Sequence, residues 1–185
     1  FGKFKLTNEL RGGLEGDDLK VALVVARFNH LVTTRLLDGA KAALSDNGVR
    51  DQNITVVYVP GSFEIPIVAK RLATSSRFDS VVCLGAVIRG ETDHYEYIAS
   101  EAARGISRTS QETGIPIVFG ILTTDTIEQA IERAGGKNRQ YNKQARYTSK
   151  PNHPGDSGEG QGNTGYSAGL TAIEMANLIK TIDSI

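Results

Sequence analysis

The residues best suited to chemistry form one run, Gly85-Ala-Val-Ile-Arg-Gly-Glu-Thr-Asp-His94. It closes on one of the three histidines in a chain of 185 residues. Imidazole exchanges a proton near neutral pH, which makes His94 the candidate general acid or base. Glycines at 85 and 90 allow a ligand close to the backbone, and Asp93 with Glu96 fits a capping box that opens a helix. A helix N-terminus reached through glycine suits an anion such as phosphate. Its positive end also disfavours a charged imidazole, which would leave His94 able to accept a proton. Further candidates lie elsewhere in the chain. Phe28 and Phe63 are rings that could stack on a flat ligand, and each would serve equally well in a core. Glu64 could accept from ligand hydroxyls, or simply occupy a favourable first helical turn. Arg133 could clamp a phosphate, or merely complement the dipole at a helix C-terminus.

The elements that must hold these residues alternate. Val21–Ala26, Ile54–Val59, the stretch 79–84 running on towards Ile88, and 116–122 are short, apolar and rich in β-branched residues. They read as strands buried on both faces. Helical periods fall between and after them, at 31–47, 64–74, 93–113, 126–134 and 167–182. The last of these carries Met175, Leu178, Ile179 and Ile182 on one face. This order predicts an α/β fold: a three-layer sandwich around a mainly parallel four-stranded sheet of flavodoxin-like topology. In such a sheet ligands bind beyond the carboxyl ends of the strands. The strand ends offer Arg27-Phe28-Asn29-His30, Pro60-Gly-Ser-Phe-Glu64, the run at 85–94, and Phe119-Gly-Ile-Leu-Thr123. The short alternating piece around Phe4 and Leu6 suggests an edge strand or an arm that pairs with a neighbouring subunit.

Composition narrows the class. Acids and bases balance at 21 each, so no net charge points to nucleic acid or a membrane surface. The one cysteine, Cys83, lies inside an apolar strand, which excludes a disulfide framework and suits a reduced, cytoplasmic setting. No apolar run is long enough to span a bilayer, and the first residues do not read as a secretory signal. No His, Cys or carboxylate cluster has metal-ligand spacing, and neither GxGxxG nor a Walker motif occurs, so no metal and no tightly bound nucleotide is expected.

Residues 1–185 read as one domain with an interruption at about 136–162. Its first part carries Lys137, Arg139, Lys143, Arg146 and Lys150 without an acid, with Tyr141 and Tyr147 between them. Bases interleaved with aromatics could suit nucleic acid, but a solvated insertion without a core is the plainer expectation.

Taken together the runs go further than any one of them. Phe28-Asn29, Gly61-Ser-Phe-Glu64-Ile-Pro, the run at 85–94 and Ala172-Ile-Glu-Met-Ala176 stand in the order and spacing of the lumazine synthases. The chain resembles that family over about residues 15–135 and 163–180. The resemblance implies condensation of 5-amino-6-(D-ribitylamino)uracil with 3,4-dihydroxy-2-butanone 4-phosphate, without metal or redox cofactor. By position it implies that Phe28 stacks on the pyrimidine, and that Ser62, Phe63 and Glu64 hold the ring edge and ribityl chain. Ala86, Val87 and Ile88 would present backbone groups, and Phe119 would close the pocket. Gly90, Glu91, Thr92 and Arg133 would receive the phosphate, and His94 would move protons. It implies homo-oligomers with active sites between subunits, a pentamer being expected here and a 60-subunit shell being the other family assembly. One departure stands out: where the family places a lysine against the pyrimidine, this chain has Thr164. That keeps open a second reading, a catalytically weak flavin-like binder or a shell-forming protein on the same scaffold.

Overall fold

A computed structural model describes residues 8–136 and 162–185. Four strands form one parallel sheet: β1 (Val21–Ala26), β2 (Ile54–Val59), β3 (Ser80–Ile88) and β4 (Ile117–Thr124), in the order β2-β1-β3-β4. Among the described residues five α-helices cover it: α1 (His30–Asp46), α2 (Ile65–Ala73), α3 (His94–Thr113), α4 (Ile127–Arg133) and α5 (Thr164–Asp183). The α/β architecture and flavodoxin-like topology expected from the alternating pattern are those observed.

The strand sequences account for the layers. Side chains alternate across a sheet, and β1 is apolar at every position. Val21, Leu23 and Val25 therefore enter one core cluster with residues of α1, α4 and α5. Ala22, Val24 and Ala26 enter a second with residues of α2 and α3. Fully burying one such valine or leucine contributes roughly 1.5–3 kcal/mol. Cys83 is fully buried in the second cluster, and desolvation pushes its thiol pKa well up, so it acts as a small apolar residue.

Two expectations about helices need correction. The capping box at Asp93 and Glu96 does not form. Asp93 is the N-cap, but its backbone sits at φ −74, ψ 6 rather than in the extended region, and its carboxylate makes no capping bond. The buried face of α5 is also not the bulky one. Gly165, Ala168, Gly169, Ala172, Ile173 and Ala176 are buried, whereas Met175, Leu178 and Ile179 are half-buried and Ile182 is exposed. The reason is the close approach of α1. A Cβ on residue 165 would collide with the Leu36 carbonyl, and one on residue 169 would lie 2.7 Å from the Ala43 methyl.

α5 also starts earlier than its apolar period suggests, at an N-cap, Asn163, whose side chain accepts from Tyr166 N at 3.1 Å. Asn163 pairs with Ala134 in an isolated antiparallel bridge, and its amide donates to Arg35 O and Ala134 O at 3.0 Å each. Arg35 donates in turn to Gly136 O. The chain thus leaves α4 and enters α5 at one fixed neck. The expected insertion, including Tyr141, Tyr147 and its lysines and arginines, lies outside the described residues apart from its flanks at 136 and 162. The arm expected around Phe4 and Leu6 lies outside them as well.

Candidate active site

All four strands are parallel, so their carboxyl ends share one edge, and the loops after β1, β2 and β3 meet there. Four contacts bind these loops together. Arg27 N donates to Val59 O at 2.8 Å and Phe28 N to Pro60 O at 3.0 Å, tying the first loop to the second. Asn29 Nδ2 donates to Ala86 O at 2.9 Å, tying the first to the third. Gly85 joins the second to the third, because a Cβ there would lie 2.5 Å from Ser62 Oγ. Only glycine allows that approach.

The strand lengths open a slot. The β1–β3 ladder stops at Val25↔Leu84, whereas β3 stays paired with β4 as far as Ile88↔Thr124. The last residues of β3 therefore have a neighbour on one side only. Backbone groups of alternate residues face opposite neighbours. Arg89 N bonds Thr124 O on the β4 side and Ala86 O meets Asn29 on the other. By this alternation Ile88 directs its amide and carbonyl into the unpaired side. Phe28 and Phe63 flank this edge, 70% and 55% exposed, while Ser62, Ala86 and Val87 are buried and Glu64 and Ile88 half-buried. Two exposed aromatic rings beside a free strand edge suit a flat ligand that also carries amide-like donors and acceptors.

Gly90, Glu91, Thr92 and His94 follow, all exposed, and His94 is the first residue of the 20-residue α3. Helix-start N–H groups face this edge, where a phosphate is favoured. Arg89, which its residue type alone did not single out, fixes the segment. Its guanidinium lies 3.5 Å from the Asp125 carboxylate and 5.3 Å from the centre of the Tyr95 ring. The loop after β3 is thereby held to the loop after β4 and to the first turn of α3.

Two predicted residues are not part of this cluster within the chain. Phe119 does not stand at a strand end. It is the third residue of β4, opposite Cys83, because the strand begins directly after Pro116. It is 45% exposed and lines a groove of about 360 Å³ with Ser110, Pro116, Thr164, Ser167 and Met175, on the outer side of the last strand. Thr164 thus sits beside Phe119 rather than beside His94. Arg133 closes α4, at the opposite end of that helix from the strand-edge loops, and its guanidinium donates to Gln129 O at 3.3 Å. Sequence reasoning also missed the capping box that does form, Thr126 with Gln129, which starts α4.

The family model for 6,7-dimethyl-8-ribityllumazine synthase matches residues 18–180. The chain belongs to this family. The match spans the three loops, the groove and both sides of the neck, and it passes across the interruption that separates α4 from α5. For a lumazine synthase family member the division of the predicted residues between a loop edge and an outer groove has a direct bearing on function. Among the described residues no helix is long and apolar enough to cross a membrane.

Proposed function

We propose that the chain condenses 5-amino-6-(D-ribitylamino)uracil with 3,4-dihydroxy-2-butanone 4-phosphate to give 6,7-dimethyl-8-ribityllumazine, phosphate and water, the penultimate step of riboflavin formation. The observation that carries this reading is the free edge of β3 next to loops that bear two exposed phenylalanines, adjoining the α3 N-terminus that begins with His94. The pyrimidine stacks on Phe28 and bonds the backbone groups of Ile88 that face the slot, while Ala86 and Val87 form the strand end that carries them. Ser62, Phe63 and Glu64 receive the ribityl chain. Gly90, Glu91 and Thr92 receive the phosphate through backbone N–H groups and the threonine hydroxyl.

The chemistry needs protons moved more than once. The pyrimidine amine attacks the ketone carbon, and the resulting carbinolamine loses water to form an imine. Loss of the C3 proton then expels phosphate from C4, the resulting enol tautomerises to a ketone at C3, and the ribitylamino nitrogen closes the second ring on that carbon with loss of a second water. His94, beside both subsites, serves as the proton carrier. Holding both reactants in one cleft makes ring closure effectively intramolecular, a contribution on the order of several kcal/mol.

Phe119 and Arg133 complete the site from a second copy of the chain, whose outer β4 edge docks against the loop edge of the first. A pentamer of such contacts is the assembly proposed, and a cytoplasmic location accompanies it. Thr164 lies on the same groove as Phe119, so the loss of the family lysine weakens the second copy's contribution rather than the proton carrier. That position favours one competing reading, a ligand-binding protein with little turnover. An absorbance assay for the lumazine product, run on size-separated fractions with both substrates, tests the proposal. Product in the oligomeric fraction supports it, and pyrimidine binding without product favours the competitor.

A further inference from the structure

Asn29 has a backbone conformation that its residue type tolerates but does not prefer. It sits at φ 58, ψ 42, and the only other non-glycine residue with positive φ among the described ones is Ser76. It is the N-cap of α1, yet its side chain makes no capping bond. An N-cap asparagine ordinarily accepts from the second or third helical N–H through its side-chain oxygen. Here the backbone carbonyl of Asn29 takes that part, accepting from Val32 N at 2.9 Å beside the ordinary first helical bond from Thr33 N at 3.1 Å. The left-handed backbone turns the side chain away from the helix and onto Ala86 O, 57 residues later in the chain. That carbonyl lies two residues past the last β1–β3 pair and has no strand partner on this side. Asn29 thus continues the ladder with a side chain where β1 has ended. It does so at the crevice between β1 and β3, where the strand order reverses and ligands of such folds bind.

We propose that Asn29 is a positioning residue for the pyrimidine. It fixes the distance between the Phe28 ring, one residue before it, and the free backbone edge at Ile88, two residues beyond Ala86. It acts through Ala86 and the strained turn, and the inference rests on the reading of this slot as the pyrimidine subsite. Local strain of this kind persists where surrounding contacts over-determine it, and it clusters at ligand sites.

Two variants separate positioning from general stability. Asn29→Gly keeps the left-handed turn without strain but removes the bond to Ala86. Asn29→Asp keeps the shape and puts a carboxylate oxygen against the carbonyl. For Asn29→Gly the relief of strain offsets the lost hydrogen bond, so the melting temperature stays within a few degrees of wild type, roughly. The KM for 5-amino-6-(D-ribitylamino)uracil rises about tenfold in both variants, while the KM for the phosphate substrate and kcat at saturation change by less than about threefold. Calorimetric titration with the pyrimidine alone gives the same tenfold weakening, about. Unchanged pyrimidine affinity in a folded Asn29→Gly protein overturns the inference, as does a parallel rise of both KM values. If Asn29→Gly does not fold, Asn29→Asp carries the same test. A wild-type protein that neither binds the pyrimidine nor forms product refutes the underlying reading, whereas an active wild type with an indifferent Asn29→Gly refutes this inference alone.

Discussion

The strand-edge loops and the outer groove along β4 are built on different principles. The loop edge is cross-tied: Asn29 to Ala86, Phe28 to Pro60, Arg89 to Asp125 and Thr124, and Ser62 against Gly85. Its rings are nonetheless exposed, so the frame is rigid and its contents are open to a ligand. The groove has no such frame. Phe119 comes from mid-strand and Thr164 from a helix start. Arg133 lies outside the groove, at the end of α4, and donates to Gln129 O of its own helix. Residues that are preorganised belong to a site a single chain can present. Residues that merely decorate an unpaired sheet edge gain a purpose from what packs on them. On the proposed reading the two regions are halves of one site contributed by different copies.

The sharpest way to break this comparison is at His94. His94→Ala is expected to lower kcat by about 10- to 10³-fold while leaving substrate positioning in place. Wild-type turnover by the folded variant would remove its role. Next comes the test of shared sites. His94→Ala and Arg133→Ala proteins, unfolded and reassembled together in equal amounts and assayed with the phosphate substrate well below its KM, should regain roughly a quarter of wild-type activity, because about one site in four then draws intact halves from two chains. No recovery would place both residues in one chain's site or in none. Arg133→Ala alone should raise the KM for the phosphate substrate about tenfold with a smaller effect on kcat, the signature of a lost charge-assisted contact. An unchanged KM would remove Arg133 from the phosphate clamp.

The smallest effect lies away from both regions and serves as a control. Hydrogen bonds from Lys70 and Arg108, at 2.7 and 2.6 Å, hold the Glu112 carboxyl at about 2, below its ordinary 4.5. A depressed carboxylate pKa adds stability that is present above the ordinary value and lost as pH falls through the folded one. Glu112→Gln should therefore melt slightly below wild type at neutral pH, with the gap closing between about pH 4.5 and 2. A gap that stays constant with pH would show that the ion pairs are not its cause. Turnover should not change.

How legible all this was depended on which physical signal each part left in the sequence. β1 and β3 are apolar on both faces because helices cover both faces, and that continuity can be read directly. β4 is legible as a strand, but a local pattern does not reveal how far its pairing runs, so Phe119 reads as a strand-end residue although it lies mid-strand opposite Cys83. The face of α5 was misread for a related reason. Hydrophobic patterning detects bulk, whereas the contact with α1 selects for its absence, at Gly165, Ala168, Gly169 and Ala172. The three loops of the candidate site could be listed from the strand ends. Their ties could not, since Asn29 and Ala86 stand 57 residues apart and only the register of the sheet brings them together. The Asp93 capping box was a correct pattern in the wrong backbone conformation.

The neck between Ala134 and Asn163 has a further consequence. Its two sides are already bonded to each other and to α1 through Arg35, so the fold fixes where residues 137–161 must begin and end, but not how many residues stand between. Once the ends of a loop are held together, doubling its length costs only about 0.6 kcal/mol in closure entropy. Chain length at this point therefore weighs little on the stability of the fold. The register of α5 is set by the neck itself, through the bonds of Asn163 to Ala134 and Arg35.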